Sequence, residues 1–337
     1  MSLMILAKPY LLFLGDAVRD AEAKTGFGLR DWCRDDCIGQ WLLPTGTVDL
    51  GLPVLTPTNA VRAGAKSLVI AVAPVGGSIA QAWIPSLVEA LEAGLDVVSG
   101  MHTKLADVPD LKAAALRCDR ELVDVRHPRT HFPVATGVRR PGKRVLTVGT
   151  DRALGKKYTA LALTRELLGR GISADFRATG QTGIMISGGG VAIDAVVADF
   201  IAGAAESLSP TNDPQHWDVI EGQGSLFHPA YAGVTLGLLH GSQPDALVLC
   251  HDPTRLRIEG FPQYPLIDLK TATRRYLEAA QLTNERVRFV GVSLNTSNLS
   301  REQRAETIER IGGQLDLPCC DPLITGTGAI ADRLACL

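Results

Sequence analysis

The sequence predicts an α/β protein built from two open parallel sheets, and three observations support this. Short apolar runs alternate with helical stretches, several of the runs end in glycine, and the alternation starts again after an aperiodic segment rich in proline and basic residues. Strand–helix alternation is typical of a parallel sheet with helices on both faces. A length of 337 residues corresponds to about two domains. We therefore expect one α/β domain over residues 1–128, a linker over 129–143 and a second α/β domain over 144–337.

The first half of the chain contains five predicted strands and one clear helix. The run SLVIAVAP is continuous, apolar and rich in β-branched residues, as expected for a central strand that is buried on both faces. The helix, residues 79–93, carries Trp83 and three aliphatic side chains on one side and ends at Gly94. The predicted strands cover residues 9–15, 37–44, 67–74, 95–100 and 121–126.

The second half repeats the alternation more strongly. Its first predicted strand, RVLTVGT, is followed by a helix over residues 156–168. The further predicted strands cover residues 172–180, 217–222, 245–251 and 286–295. The further predicted helices cover residues 191–208, 271–282 and 299–311.

Composition excludes several classes of function. The chain has 34 Lys and Arg against 36 Asp and Glu and only 5% aromatic residues, which disfavours a nucleic-acid surface. No apolar run reaches the roughly 18 residues of a membrane span, and the first residues lack a secretory pattern. The seven cysteines are scattered and odd in number, typical of reduced thiols. We expect a cytoplasmic homo-oligomer that binds small molecules, without nucleic-acid or membrane partners.

The segment VGTDRALGKKYTALAL, residues 148–163, predicts a phosphate site. A strand runs into a loop with a glycine at each end, and two lysines open the next helix. Such glycines let backbone N–H groups converge on an anion, which the helix N-terminus also attracts. A lysine adds a mobile positive charge. The candidate ligand-binding residues are Gly149, Thr150, Asp151, Gly155, Lys156, Lys157, Tyr158 and Thr159.

Two features separate this loop from the common nucleotide-hydrolysing form. Five residues lie between Gly149 and Gly155 instead of four, and Lys157 replaces the Ser or Thr that normally holds Mg²⁺. The spacing and the opening GTD resemble dethiobiotin synthetase and its relatives, whereas the missing hydroxyl does not. Thr159 is the alternative hydroxyl. We expect a phosphorylated ligand bound by two ammonium groups, and a need for Mg²⁺ is left open.

The segment WDVIEGQGSLFHPAY, residues 217–231, contains the candidate catalytic residues. An apolar strand delivers Glu221 at its carboxyl end, where ligands of open α/β sheets bind. Glu221 is a candidate general base or metal-linked acid; alternatively it only caps the glycine turn that follows. His228, before Pro229, is a candidate proton carrier, and the alternative is a packing or capping role.

A third polar segment, residues 175–200, predicts substrate binding. Three glycines, Gly188 to Gly190, precede the predicted helix 191–208, and glycines at a helix N-terminus allow a close approach by an anion. A mobile loop that needs positive φ angles would also explain them. The candidate substrate-binding residues are Arg177, Thr179, Gln181, Thr182, Gly189, Gly190 and Asp194, the last in the first helical turn.

Glycines also follow a predicted strand of the first domain. Gly76 and Gly77 precede Ser78, and SGMHTKLAD follows the next strand. Both segments are expected at the ligand edge of the first sheet. His102 lies either at that edge or in the packed interior.

Five ordered blocks of the chain together resemble one family, the D-glutamate N-acetyltransferases, formerly catalogued as a domain of unknown function. The resemblance covers nearly the whole chain and implies a Rossmann-like N-terminal domain and a P-loop NTPase-like C-terminal domain. It implies acetyl-CoA as co-substrate, D-glutamate as acceptor and a role in D-amino acid catabolism. Arg152 departs from the family pattern, where a cysteine is expected. The blocks are LVIAVAPVGG, LDVVSGMHTKLAD, VGTDRALGKKYTALALTREL, DFRATGQTGIMISGGGVAIDAVVADFIAGA and DVIEGQGSLFHPAYAGVTLGLLHGSQPDALVLCHDP.

The resemblance and the local chemistry agree on one point: CoA carries a 3′-phosphate and a pyrophosphate that can be held without Mg²⁺, which fits Gly155, Lys156 and Lys157 better than ATP hydrolysis does. The resemblance implies an acyltransferase. CoA phosphates would occupy the lysine loop, Arg177 and Gln181 would bind acceptor carboxylates, and Glu221 or His228 would accept a proton. One alternative is an Mg-ATP-dependent ligase or kinase similar to dethiobiotin synthetase, with Thr159 and Glu221 near the metal; Lys157 counts against it. The other alternative is a non-catalytic nucleotide-binding protein, which would bind ligand without turnover.

Overall fold

The computed structural model describes residues 4–72, 77–127 and 131–337, and it confirms the predicted α/β class. The strands are β1 (Met4–Ile5), β2 (Tyr10–Gly15), β3 (Cys37–Leu42), β4 (Ser67–Ile70), β5 (Asp96–Ser99), β6 (Leu122–Asp124), β7 (Lys143–Gly149), β8 (Ala174–Arg177), β9 (Gly189–Gly190), β10 (Trp217–Ile220), β11 (Ala246–His251), β12 (Arg257–Ile258), β13 (Phe261–Pro265), β14 (Arg288–Leu294) and β15 (Cys319–Cys320). The α-helices are α1 (Lys24–Trp32), α2 (Pro57–Arg62), α3 (Ile84–Ala93), α4 (Pro109–Cys118), α5 (Lys156–Gly169), α6 (Gln181–Ser187), α7 (Ile201–Leu208), α8 (Ala232–Ser242), α9 (Leu269–Ala280), α10 (Arg301–Leu315) and α11 (Gly328–Ala335).

The chain divides into two compact units. The first contains Met1–His131 together with Gly180–Ala195, and the second contains Phe132–Thr179 and Val196–Leu337. The segment Gly180–Ala195 joins the first unit because β9 pairs antiparallel with β1 and because Lys8 Nζ donates to the Ile186 carbonyl at 3.0 Å. The domain boundaries expected from the sequence stay a prediction. They place the segment Gly180–Ala195 in the second domain, whereas it packs with the first unit.

The first unit contains a five-stranded parallel sheet of order β3-β2-β4-β5-β6. Leu11 to Leu14 of β2 are all fully buried, as expected for a strand covered on both faces. The strand order reverses between β2 and β4, and such a reversal is where ligands bind in open α/β sheets. Of the glycines predicted at this edge, Gly76 lies outside the described residues. Gly77 accepts a hydrogen bond from the N–H of His102, an exposed residue, at 2.7 Å.

The second unit contains a six-stranded parallel sheet of order β15-β14-β11-β7-β10-β8. The strand order reverses at β7, which lies between β10 and β11 and is buried from Arg144 to Gly149. The chain leaves the carboxyl end of β7 through a short loop into α5, whose Ala160, Leu163 and Leu167 pack into the core of this unit. The predicted phosphate loop therefore lies at the point where the sheet reverses.

Two helix predictions need correction. Helix α3 begins at Ile84 rather than at residue 79, because Pro85 suits the first helical turn and a 3₁₀ turn precedes it. The predicted helix 191–208 is wrong over its first half: regular α-helix begins only at Ile201. The glycines do not open a helix. Gly188 ends α6 with φ +82°, and the next two glycines form strand β9.

The segment expected to be a linker is held against helix α7. Residues 131–142 form neither helix nor strand, yet Glu206 of α7 accepts hydrogen bonds from the backbone N–H groups of Thr136 and Gly137, both at 2.9 Å. Arg140 lies 3.6 Å from the same carboxylate. These contacts fix the segment on the second unit, where it leads directly into β7.

The helices and the cysteines of this fold can be compared with the expectations on membrane spans and thiols. Within the described ranges, every helix is too short or too polar to span a bilayer. The seven cysteines are free thiols, of which Cys37, Cys250 and Cys320 are buried. Cys33 and Cys37 donate to backbone carbonyls one helical turn earlier, at 3.2 and 3.3 Å.

Candidate phosphate site

The loop between β7 and α5 has a run of backbone N–H groups without acceptors. Among the described residues, none of the N–H groups of residues 153–157 has a hydrogen-bond partner. Ala153 and Gly155 have φ angles of +52° and +99°, and this conformation is unfavourable for alanine. Unpaired N–H groups at a helix N-terminus bind anions. The backbone therefore supports the predicted phosphate site.

Lys156 places a buried positive charge in this loop. It is 6% exposed, and its Nζ donates to the Asp151 backbone carbonyl at 2.9 Å. No carboxylate of the described chain lies within ion-pair distance of Nζ. Burial is the main cause that lowers the pKa of Lys156, to about 8. Because an unpaired buried charge is costly, a phosphate oxyanion would supply the missing counter-charge.

Lys157 adds a second, half-buried ammonium to the same helical turn. Its Nζ lies 4.6 Å from the centroid of the Tyr158 ring. Burial lowers the pKa of Lys157, and the neighbouring Glu221 acts in the opposite direction. Lys156, Lys157 and the Glu221 carboxylate thus interact electrostatically, as expected for residues at the same carboxyl edge of the sheet.

Asp151 supports the loop rather than presenting a free carboxylate. Its side chain is fully buried, and Oδ1 accepts the N–H of Arg152 at 2.7 Å. Oδ2 accepts from the Arg255 guanidinium at 2.9 Å and from the Glu259 N–H at 2.8 Å. These bonds tie the loop to the segment that follows β11. Asp151 therefore fixes the loop conformation that leaves the N–H groups of residues 153–157 unpaired.

The hydroxyl of Thr159 is already engaged inside the unit. Thr159 is 1% exposed, donates to the Gly155 carbonyl at 3.0 Å and lies 2.7 Å from the hydroxyl of Ser293. It does not replace the Mg²⁺-binding hydroxyl that the sequence lacks at Lys157. The donor set of this loop therefore fits phosphate oxygens better than a magnesium ion, which argues against the ligase alternative.

Glu221 lies beside the lysine loop. It is 4% exposed, and its Oε2 accepts from the Thr179 N–H at 3.0 Å. A Cβ on the next residue, Gly222, would lie 1.7 Å from the Thr147 carbonyl oxygen and 3.1 Å from Lys156 Cδ. Only glycine fits this close approach. The structure thus brings Glu221 and Lys156 together, although they are 65 positions apart in the sequence.

His228 is buried in an aromatic environment. It is 1% exposed, with ring centroids of Tyr231 and Phe261 at 4.5 and 5.1 Å. Its Nδ1 accepts the N–H of Ala230 at 3.1 Å, so the neutral imidazole carries its proton on Nε2. Within the described structure, Nε2 has no hydrogen-bond partner. This geometry favours donation to a ligand oxygen over the role of proton acceptor.

The residues expected to bind substrate belong to both compact units. Arg177 pairs with Asp218 at 2.7 Å and with Asp175 at 3.0 Å, so two carboxylates already neutralise it. Thr179 is bonded to Glu221 in the second unit. The five other residues belong to the first unit: Gln181, Thr182, Gly189, Gly190 and Asp194.

Within the first unit, two of those residues contact Arg126. With its amide nitrogen toward the Gly100 carbonyl, Gln181 donates to that oxygen and accepts from the Arg126 guanidinium at 3.3 Å. Asp194 lies in a 3₁₀ turn, not in the first turn of an α-helix, and pairs with Arg126 at 3.0 Å. The premise that placed Asp194 and the glycines at a helix N-terminus is therefore wrong.

Several residues that shape the site were not among the candidate residues predicted from the sequence. The Tyr276 hydroxyl of α9 donates to the Gly149 carbonyl at 2.7 Å, and Ser225 donates to the same oxygen at 2.8 Å. Thr150 lies 3.0 Å from Nδ1 of His251, whose pKa burial lowers to about 4. His251 could have been recognised as a candidate site residue, because it lies at the carboxyl end of a predicted strand.

Arg152, the residue that departs from the resembled family pattern, packs above an aromatic ring. Its guanidinium lies 5.6 Å from the Tyr231 centroid, a cation–π distance. Tyr231 in turn contacts His228. Arg152 thus lies beside the candidate site and connects the loop to the segment that follows Glu221.

Comparison with known proteins gives the chain a family. Residues 36–128 match the Rossmann-like domain of unknown function DUF1611_N, and residues 133–331 match the P-loop domain DUF1611_C. A protein from Tritonibacter scottomollicae named D-glutamate N-acetyltransferase is 50% identical, over 98% of this chain and 99% of that protein. A protein of the same name from Pseudoalteromonas is 47% identical, over 98% and 100%. A crystal structure of a DUF1611 family protein from Anabaena variabilis superimposes with a TM-score of 0.85 at 34% identity, covering 98% and 100%. The chain therefore belongs to the DUF1611 family, with a Rossmann-like N-terminal domain and a P-loop C-terminal domain.

Proposed function

We propose that this protein transfers the acetyl group of acetyl-CoA to the amine of D-glutamate, as a step in D-amino acid catabolism. The observation that carries the proposal is the match, over nearly the full length, to two proteins named D-glutamate N-acetyltransferase. The phosphate site supports it independently of that name. Cytoplasmic location and homo-oligomeric assembly stay predictions from the sequence.

The lysine loop suits the phosphates of CoA. CoA carries a 3′-phosphate and a pyrophosphate, and both bind to backbone N–H groups and ammonium groups without a metal. The unpaired N–H groups of residues 153–157, with Lys156 and Lys157, would hold one of them. Thr159 and Asp151 are engaged within the protein, so this loop is a poorer site for Mg-ATP.

The chemistry requires a proton acceptor and an oxygen-binding donor. The amine nitrogen of the acceptor attacks the thioester carbonyl; a C–N bond forms, the C–S bond breaks, and the departing CoA thiolate takes up the second proton that the nitrogen releases. The ammonium form of the acceptor must first lose a proton, and Glu221 is the proposed base. His228 would donate from Nε2 to an oxygen of the bound ligand.

Direct transfer is favoured over an acetylated enzyme. Cys250, in the carboxyl-terminal part of β11, is a thiol that interacts electrostatically with Lys156 of the loop. It is fully buried, and burial raises its pKa to about 11. Because the thiolate is the nucleophile, such a thiol is unreactive near neutral pH.

The test is release of free thiol from acetyl-CoA by the purified protein. We expect release that requires D-glutamate and is much slower with L-glutamate, with N-acetylglutamate as the product identified by mass spectrometry. Absence of release above background with every D- and L-amino acid would exclude the proposed activity.

Lys157→Thr distinguishes the acetyltransferase from the ligase alternative. The substitution restores the common Mg²⁺-type loop but removes an ammonium group, so we expect CoA to bind several-fold more weakly and no ATPase to appear. Acetyl transfer and Mg²⁺-dependent ADP formation are both measured, with Lys270→Thr on an exposed part of α9 as the matched control. The ligase would be supported instead if Lys157→Thr gained Mg²⁺-dependent ATP turnover and the parent showed no acetyl transfer.

A further inference from the structure

A second positively charged cavity lies in the second unit, away from the lysine loop. It has a volume of about 300 Å³. Five cationic side chains and one carboxylate side chain line it: Arg139, Arg140, Lys143, Arg286, Arg288 and Asp245. Leu337, the last residue of the sequence, also lines it and adds its main-chain carboxylate. The whole chain has a formal charge of −2, so this local excess of positive charge is not a property of the surface as a whole.

Two of these cations are neutralised within the protein. Arg140 lies 3.6 Å from Glu206 and donates to the Gly241 carbonyl at 2.9 Å. Arg139 pairs with Asp245, whose other oxygen accepts the Arg144 N–H at 2.9 Å. The Asp245 carboxylate is therefore fully used by these bonds.

Three cations remain without a counter-charge. The Lys143 ammonium donates to the neutral amide of Gln215 at 2.8 Å and lies 5.7 Å from the centroid of the Trp217 ring. Arg286 and Arg288 are exposed, and their guanidinium groups have neither an ion pair nor a hydrogen bond in the part of the chain that the structure describes. The sheet holds these residues close together, because Ala246 of β11 pairs with Arg288 on one side and with Val145 on the other.

The cavity is distinct from the phosphate loop. Lys143 is the first residue of β7 and Gly149 is the last, so at about 3.3 Å per residue the two ends of this strand are about 20 Å apart. The basic cavity thus lies at the amino ends of the strands, whereas the lysine loop lies at the carboxyl end. One CoA phosphate group does not contact both sites.

We propose that this basic cavity binds a small polyanion, a molecule with two or more closely spaced phosphate or carboxylate groups. Three uncompensated cations around one cavity match several negative charges better than a single one. Ligand pockets span about 300–1,000 Å³, so a cavity at the lower limit suits a molecule of the size of tripolyphosphate or citrate rather than a whole nucleotide cofactor. The proposal does not depend on the acetyltransferase activity.

Isothermal titration calorimetry on the intact chain tests this site. The measurements use the Lys156→Ala background, which weakens the lysine loop as a competing anion site. Tripolyphosphate and citrate are titrated separately, and acetate at equal ionic strength is the single-charge control. Arg286→Gln with Arg288→Gln removes the two unpaired guanidinium groups. Arg274→Gln with Arg275→Gln on α9 is the matched control, since it removes two exposed arginines elsewhere in the same unit.

We expect the Arg286 and Arg288 double variant to bind at least tenfold more weakly, whereas the control double variant binds as its parent does. A response to tripolyphosphate alone identifies a polyphosphate site, and a response to citrate alone identifies a polycarboxylate site. The proposal is overturned by any of three results: no binding of either polyanion, equal binding of acetate, or equal affinity in the two double variants.

Discussion

Glu221→Gln is expected to lower kcat for acetyl transfer by about 10²- to 10⁴-fold, the usual contribution of a general base. Glutamine has the size of glutamate and keeps an oxygen for the Thr179 N–H, which Glu221 Oε2 accepts at 3.0 Å. It cannot take a proton from the acceptor ammonium. The loss should therefore appear in kcat rather than in folding.

The same substitution should leave CoA binding nearly unchanged or slightly tighter. Glu221 interacts electrostatically with Lys156 and Lys157, so removing its negative charge leaves both ammonium groups more available to phosphates. Steady-state kinetics with D-glutamate, CoA titration and thermal unfolding separate the three effects. Glu278→Gln, an exposed carboxylate on α9, is the control. A fall in kcat of less than threefold would assign the base to another residue.

The strand, loop and helix of the predicted phosphate site were predictable because their signal is local. A strand, two glycines, two lysines and a helix follow one another within residues 144–168, and hydrophobic period and glycine chemistry act over that distance. The same holds for Glu221, which directly follows the short strand Trp217–Ile220. The fold class rests on similar short-range alternation and agrees with the structure.

The region around residues 180–200 could not be predicted in this way, because distant pairing decides it. The two glycines of β9 pair with Met4 and Ile5, far away in the sequence. That pairing draws the segment into the first unit and leaves Gly188 as a helix C-cap. Sequence proximity grouped Gln181 with Thr179, whereas the structure assigns them to different units.

The role of Asp151 was hidden for a related reason. The motif indicated a ligand-binding residue, but Arg255 and the N–H of Glu259 use its carboxylate. These partners lie about a hundred positions later in the sequence, with no fixed spacing that a motif could capture. The same applies to Tyr276, which donates to the Gly149 carbonyl from a position far away in the sequence.

Lys156→Ala is expected to weaken CoA binding about ten- to a hundredfold and to leave the KM for the acceptor nearly unchanged. A hydrogen bond to a charged group contributes about 1.5–3 kcal/mol, which corresponds to that range of dissociation constants. The unliganded variant should be as stable as the parent or more stable, because a buried ammonium without a carboxylate partner is lost. A drop in unfolding temperature would instead indicate a structural role.

The pH dependence of CoA binding provides a second, independent readout of Lys156. Burial lowers the pKa of this ammonium to about 8, so the charge is present below pH 8 and is lost as the pH rises through that value. CoA affinity of the parent should therefore fall between pH 7 and 9, whereas Lys156→Ala should show a shallower fall, because only the Lys157 ammonium, whose pKa burial also lowers, remains in the loop. A CoA analogue without the thiol keeps the ligand charge constant over this range. Lys270→Ala is the control and should retain the slope of the parent. If Lys156→Ala retains that slope, the alkaline loss of affinity has another source and Lys156 does not contact the phosphates.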